Sequence, residues 1–132
     1  SLLEAEKRLL GLISQSKKLY KMSSAQIKAE EFATNVYRRL AKSMYDSYEN
    51  GMSPDPAMML NDFSGDDLSE ASEVFYNLEV YSGDEETVKE LLYTIKLEKL
   101  NMRINAEADP TNLMDLFKQR EELLNEKNTW EE

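Results

Sequence analysis

The amino-acid sequence predicts an all-α protein, in which a multi-helix bundle is followed by a long helix and a C-terminal helical hairpin. Only 4 Gly and 3 Pro occur among 132 residues, whereas a sheet protein needs many turns. Apolar residues recur at intervals of three and four along most of the chain, which is the spacing of one helix face. The glycines and prolines stand between these periodic segments, so the pattern indicates helices separated by short breaks.

The first helix is predicted to start at Ser1, because Ser1 and Glu4 have the spacing of a capping box. A short second helix is expected from about Lys17 into the region of Ile27. Phe32 lies in the connector that follows, and we expect it to fill part of the core. The first helix has a broad apolar face: Leu2, Leu3, Leu9, Leu10, Leu12 and Ile13.

Capping residues predict where the next helices begin. Thr34 is a good N-cap for a third helix that we expect to run to about Glu49. Gly51 tolerates the left-handed conformation that ends many helices. Asp55 before Pro56 predicts the start of a fourth helix, since Asp caps and Pro is accepted at the first helical position. The fifth helix is expected to begin after Ser64-Gly65, at Asp66 or Asp67, with this apolar content: Leu68, Ala71, Val74, Phe75 and Leu78.

The sixth helix, predicted to start at Ser82-Gly83-Asp84, carries two apolar stripes. The first stripe is Val88, Leu91, Leu92 and Ile95, and the second is Tyr93, Leu97, Leu100 and Ile104. At 100° per residue the two stripes lie about 155° apart. A helix that packs on one body keeps one stripe, so this pattern predicts a long helix that leaves the bundle and joins a second packing unit.

The C-terminal part reads as a helical hairpin, with a turn at residues 108–111. Leu116, Leu123 and Trp130 repeat at seven-residue spacing, which is typical of a coiled-coil seam. Arg120 falls inside that stripe, where it either extends its charge to solvent or contacts a partner carboxylate. Trp130 either staples the hairpin or anchors a partner. We therefore divide the chain into a bundle subdomain over residues 1–96 and a hairpin subdomain over residues 97–132.

The charge of the chain argues against binding to nucleic acid or to an anionic membrane. The formal net charge is −10 and the pI is about 4.6, whereas both kinds of partner attract a basic surface. The charge is unevenly distributed: residues 1–48 carry nine basic and five acidic side chains, and residues 49–90 carry one and twelve. No apolar run is long enough to cross a membrane. The chain opens at Ser1 rather than Met, so we expect a fragment of a longer protein.

Most catalytic and metal-binding chemistries lack their residues here. The chain contains no Cys and no His, which excludes disulfides, thiol nucleophiles, Cys-ligated zinc and a Ser-His-Asp triad. Asp67 stands where a calcium loop requires glycine, so an acidic helix-capping loop is favoured over a calcium site. The residues with calcium-ligand spacing are Asp62, Ser64, Asp66 and Glu73.

Two further charged clusters have ordinary structural interpretations. Asp84, Glu85 and Glu86 complement the dipole of the sixth helix, an interpretation favoured over paired catalytic carboxylates. A basic edge on the third helix is a solvated face or a counter-charge for the acidic middle segment; it consists of Arg38, Arg39 and Lys42. The glycines are isolated, so no phosphate-binding loop exists, and we expect no cofactor.

Four short motifs follow one another along the chain: residues 6–13 (EKRLLGLI), 32–40 (FATNVYRRL), 45–51 (YDSYENG) and 55–56 (DP). Their succession resembles the C-terminal helicase-binding domain of bacterial DnaG primase. That family pattern reads approximately as E-x-x-L-L, a Phe-led connector to a helix of the form H-R-x-L, Y-x-x-G, and D-P. Tyr37 stands where the family often has His, which leaves the helix intact.

The resemblance implies a protein-binding module that tethers primase to the replicative DnaB-type helicase and modulates both during primer synthesis. It implies no catalytic residue in this chain, because the zinc-binding and polymerase parts of primase lie in other domains. It implies a bacterial cytoplasmic location, a monomer in isolation, and contact with neither nucleic acid nor membrane. We expect the hairpin to bind the helicase through Leu113, Leu116, Phe117, Arg120, Leu124 and Trp130.

Other interpretations stay open. The N-terminal domain of the replicative helicase DnaB shares the bundle and similar motifs, and would serve as an oligomerisation module. The long sixth helix and the closing hairpin favour the primase domain over it. A small metal-dependent enzyme that uses Asp62, Asp66 and Glu73, and an unrelated helical adaptor, are the remaining possibilities.

Overall fold

The computed structural model describes residues 1–76 and 84–131. Within these ranges the protein is all-helical, as predicted, and contains no strand. Two short 3-10 helices, Ala29–Glu31 and Thr129–Glu131, accompany the α-helices. The seven α-helices are α1 (Leu2–Gln15), α2 (Lys17–Ser24), α3 (Asn35–Glu49), α4 (Pro56–Leu60), α5 (Gly65–Tyr76), α6 (Glu85–Ala106) and α7 (Pro110–Asn128).

The predicted N-caps are confirmed. The side-chain oxygens of Thr34, Asp55 and Asp84 accept hydrogen bonds from backbone N–H groups in the first turns of α3, α4 and α6, at 3.0, 3.1 and 3.2 Å. The predicted capping box of α1 is only half present. The Ser1 hydroxyl accepts from the Glu4 N–H at 3.3 Å, whereas the Glu4 carboxylate pairs with Lys7. The N-cap hydroxyl is thus the part of the box that the chain uses.

Two helix boundaries differ from the prediction. Helix α2 ends at Ser24 instead of near Ile27, and the Ile27 carbonyl accepts a hydrogen bond from the Tyr45 hydroxyl of α3 at 2.9 Å. Helix α5 begins at Gly65, whose φ of 58° lies in the region that favours glycine. The predicted positions Leu78, Ser82 and Gly83 lie outside the described residues.

Helix α1 is the centre of the bundle and packs against α2, α3, α5 and α6. Phe32 is 1% exposed, so the connector does place this ring in the core, as predicted. Large side chains that are fully or almost fully buried come from α1, α3, α5 and α6: Leu9, Leu10, Ile13, Leu40, Met44, Val74, Val88 and Ile95. Burial of this apolar surface is the main favourable term in forming the bundle.

The two stripes of α6 pack into two separate clusters, as predicted. Val88, Leu91, Leu92 and Ile95 belong to the bundle core. Tyr93 and Leu100 form a second cluster with two residues of α7, against which partly buried apolar side chains pack: Leu97, Ile104 and Trp130. Helix α6 runs unbroken from bundle to hairpin, and the division of the chain at residue 96 stays a prediction.

None of the described helices is both long and apolar enough to cross a lipid bilayer.

Candidate functional site

The inner face of α7 holds the hairpin together. Leu116 and Leu123 are each 9% exposed and pack with Tyr93 and Leu100 of α6. The Trp130 ring lies edge-to-face with Tyr93, their centroids 6.0 Å apart, so this tryptophan staples the hairpin. Two of the six residues predicted to bind a partner, Leu116 and Trp130, therefore contribute to the inner packing of the hairpin.

The outer face of α7 leaves apolar side chains in solvent. Phe117 is 42% exposed, Leu124 is 38% exposed, and Met114 beside them is 73% exposed. The predicted set included Phe117 and Leu124 but missed Met114, although Met114 stands three residues before Phe117 and so shares its face. We call Leu113, Met114, Phe117 and Leu124 the outer seam.

Arg120 lies at the border between the two faces of α7. Its Nη1 donates to the Asn101 side-chain oxygen on α6 at 2.9 Å, and its guanidinium carbon lies 5.2 Å from the centre of the Phe117 ring. Arg120 therefore ties α7 to α6, and its guanidinium lies over the face of the Phe117 ring. Leu113 is half-buried at the start of the same stripe. A role of these six residues in binding stays a prediction.

A groove separates the bundle from α7, and α6 forms its floor. Two adjoining cavities of about 370 and 340 Å³ share Leu92, Lys96 and Leu123 in their linings, so they make one groove. Lys96 donates to the side-chain oxygen of Gln26 on the bundle side. On the α7 side the lining includes Glu126. Sequence reasoning did not find this groove, because its walls come from distant parts of the chain.

A buried carboxylate anchors the connector before α3. Glu6 of α1 is fully buried; its Oε1 accepts a hydrogen bond from the Ala33 N–H at 2.8 Å, and its Oε2 lies 3.9 Å from the Lys99 Nζ of α6. Burial raises the pKa of the Glu6 carboxyl, although the Ala33 hydrogen bond and the Lys99 and Arg38 charges lower it. Arg38 of α3 also donates to the carbonyls of Phe32 and Ala33 at 3.0 and 3.1 Å. Glu6, Arg38 and Lys99 thus hold the connector from three helices.

The basic edge of α3 is engaged within the chain. Arg39 donates to the Asp62 carbonyl at 2.8 Å and lies 4.3 Å from the centre of the Phe63 ring. Lys42 pairs with Asp46 of the same helix at 3.4 Å. Like Arg38, Arg39 contacts backbone carbonyls, so the edge joins elements of the bundle instead of balancing the carboxylates of the acidic segment. The described residues contain no group of three Asp or Glu side chains that could hold a metal ion.

Four of the motif residues that suggested a primase domain have clear structural roles. The Tyr48 hydroxyl donates to the buried Ile13 carbonyl at 2.5 Å, and the Tyr48 ring stacks on Tyr20. Gly51 has a φ of 75°, as the turn after α3 requires. Asp55 caps α4. Together with Glu6, these residues stabilise the bundle, so their presence follows from the fold and does not by itself identify the protein.

Comparison with known proteins gives one match. The family model of the DnaB-like helicase N terminal domain matches residues 1–97. The chain matches no curated protein and no solved structure.

The assignment to the DnaG primase C-terminal domain is therefore wrong, and so is the function that followed from it. The motifs identified the shared bundle, while the hairpin that favoured primase lies almost wholly outside the matched residues. The family match covers well over half of the chain. It agrees with the alternative interpretation of the sequence, the N-terminal domain of the replicative helicase. The chain belongs to the family of DnaB-like helicase N-terminal domains.

Proposed function

We propose that this chain is the N-terminal oligomerisation domain of a replicative helicase of the DnaB type, acting in DNA replication in the bacterial cytoplasm. In this proposal the domain has no catalytic activity and needs no cofactor, and its partner is a further copy of the helicase chain. The family match over residues 1–97 is the observation that carries the proposal. The absence of Cys and His from the sequence supports a binding role over a catalytic one.

The outer seam supports self-association. Three residues of the outer seam, Leu113, Phe117 and Leu124, follow one another at intervals of four and seven, with Arg120 between the last two, which is the spacing of a coiled-coil seam. Helix α6 covers the inner face of α7 and leaves Phe117 and Leu124 of this adjacent stripe exposed to water. Exposed apolar stripes of this kind favour association with another protein surface. We propose that the hairpin, residues 97–132, supplies this contact as a subdomain.

A second copy of the same hairpin would fit the outer seam. Two copies related by a two-fold axis present the same stripe to each other, so each Phe117 would pack on apolar side chains of the other copy. The two hairpins would then form a four-helix arrangement whose interior includes Met114 and Leu124. Arg120 would be held in place beforehand by its hydrogen bond to Asn101, which reduces the entropy lost on association.

Sedimentation equilibrium tests the proposal. We expect the chain to form dimers or larger oligomers with increasing concentration, and the double variant F117E/L124E to be monomeric at the same concentrations. A charge introduced into an apolar interface loses its hydration without gaining a partner, which costs several kcal/mol.

The control is the double variant M52E/M58E, which changes two apolar residues that are 61% and 68% exposed on the bundle. We expect this control to associate like the parent chain. A parent chain that is monomeric at every concentration, or an F117E/L124E variant that associates like the control, would refute the proposal.

A further inference from the structure

We propose that the groove between the bundle and α7 is a docking site for an amphipathic helix of another protein, one that carries acidic side chains at seven-residue spacing along one edge. This inference is independent of self-association, because it concerns the opposite side of α7 from the outer seam. It rests on the charges that line the groove, on its helical walls and on its length.

The α6 floor of the groove carries a regular row of cations. Lys89, Lys96 and Arg103 all line it, and they are separated by seven residues each. Side chains at this spacing lie on one edge of a helix, as the charged positions that flank a coiled-coil seam do. The row therefore matches a partner helix whose own acidic residues repeat every seven positions.

These cations are available to a partner. Lys89 and Arg103 are exposed, and neither makes an ion pair within the described residues. Lys96 is hydrogen-bonded to the neutral Gln26 side chain, which a carboxylate can replace with a stronger, charge-assisted bond. Lys99 also lines the groove, but it is engaged with Glu6 and with the Glu31 carbonyl and belongs to the bundle.

The shape and the floor of the groove suit a helix. Between Lys89 and Arg103 the groove follows α6 for about 21 Å, which a partner helix of about 14 residues would span. Leu92 and Leu123 supply apolar floor, and Met22 and Trp130 line one end. A helix laid into a groove between helices buries its apolar stripe and presents charged edges to both walls.

The two walls beside this floor carry carboxylates, Glu31 on the bundle side and two glutamates on α7. Glu122 and Glu126 of α7 are one turn apart and face the same groove. A partner with acidic residues toward α6 and neutral or basic residues toward α7 is favoured, whereas the reverse arrangement places like charges together. Charge complementarity with the cations of the α6 floor thus favours one class of partner helix, placed with its acidic edge on α6.

A pair of synthetic peptides tests the site on the unmodified chain. The acidic-edge peptide is an amphipathic helix with a leucine seam and glutamate at seven-residue spacing along one edge. The basic-edge peptide has lysine at those positions and is otherwise identical. In fluorescence anisotropy titrations we expect the acidic-edge peptide to bind about tenfold more tightly or better, because like charges oppose the other peptide.

Charge-reversed variants locate the binding. The triple variant K89E/K96E/R103E should reverse the preference between the two peptides. The matched control K17E/K21E/K118E changes the net charge by the same amount at exposed lysines outside the groove, and should retain the preference of the parent chain. Circular dichroism melting of both variants verifies that they are folded.

A variant of the outer seam distinguishes binding in the groove from self-association. The variant F117E/L124E should bind the acidic-edge peptide as the parent chain does, whether or not the parent chain self-associates. Equal binding of the two peptides, absence of binding by both, or an unchanged preference in the folded K89E/K96E/R103E variant would overturn the proposal.

Discussion

Glu6 is a fully buried carboxylate that joins α1 to the connector before α3 and to α6. One of its oxygens accepts a hydrogen bond from Ala33, and the other has no hydrogen-bond partner and lies 3.9 Å from the Lys99 ammonium. A buried charge with incomplete hydrogen bonding loses more hydration than one ion pair returns. The raised pKa of this carboxyl reflects that imbalance, since burial is its largest cause.

The raised pKa of Glu6 predicts how the free energy of unfolding depends on pH. The folded protein holds the Glu6 proton to higher pH than the unfolded chain does. Ionisation of Glu6 therefore lowers the free energy of unfolding as the pH rises through the unfolded and then the folded pKa. Gln at this position keeps an oxygen for the Ala33 N–H and does not ionise. We expect the free energy of unfolding of E6Q, minus that of the parent, to increase from about pH 4 to about pH 7.

Urea unfolding at several pH values measures this difference. The exposed Glu121, changed to Gln, is the control, and its difference from the parent should stay nearly constant over the same range. A difference for E6Q that falls with rising pH would show that the Lys99 and Arg38 charges outweigh burial.

At the scale of elements, α6 belongs to two packing units at once. Ile95 points into the bundle core and is 2% exposed, whereas Leu100, little more than one turn later, packs against α7 and is 9% exposed. The bundle cluster contains many buried residues from six helices, and the hairpin cluster contains four from two helices. Regions with fewer buried apolar contacts open at lower free energy, so the hairpin should be the less stable unit.

Truncation of Ile95 and of Leu100 should have different effects on the stability of the two packing units. We expect Ile95→Ala to lower the global free energy of unfolding by about 2–4 kcal/mol, as large-to-small changes in cores do. Leu100→Ala should instead speed amide hydrogen exchange along α7 and leave the exchange of α1 nearly unchanged. Hydrogen exchange with mass spectrometry measures both effects, and a uniform increase across α1 and α7 in the L100A variant would contradict the prediction.

The site on α7 was only partly predictable from sequence. The seven-residue repeat of Leu116, Leu123 and Trp130 was visible, but it marks the face that packs on α6. Phe117 and Leu124 stand next to these residues in sequence and point about 100° away from them. Periodicity shows that a helix has an apolar sector, and only the position of α6 decides which part of that sector remains exposed.

At the scale of the whole molecule, charge opposes self-association. The chain carries a net charge of −10. Residues 49–90 contain twelve acidic side chains and only one basic side chain. The proposed contact between outer seams is apolar, so copies of the chain attract through burial and repel through their net charge.

Salt should therefore strengthen self-association. Raising the ionic strength from about 0.1 M to about 1 M shortens the screening length from about 10 Å to about 3 Å, which weakens the repulsion and leaves apolar burial intact. We expect the dissociation constant from sedimentation equilibrium to fall over this range. Binding of the acidic-edge peptide to the groove should weaken under the same conditions, since opposite charges attract there. A dissociation constant that rises with salt would indicate a charged interface instead.

The sequence by itself determined the all-α class and the starts of the helices that have a side-chain N-cap. A capping oxygen such as that of Thr34 or Asp84 bonds to a backbone N–H in its own first turn, so the information needed is local. The two stripes of α6 could also be predicted from local sequence, because a helix has a fixed period.

The tertiary structure alone decided which residues these local patterns place together. Glu6 and Lys99 are far apart in sequence, and no local pattern around either residue predicts that they lie close together beside the connector. The same packing explains why the motifs pointed to the wrong family: Glu6, Tyr48 and Asp55 stabilise the bundle, so they report its packing and not the protein that contains it. Contacts between distant segments depend on the summed burial of many side chains, and no short stretch of sequence contains that sum.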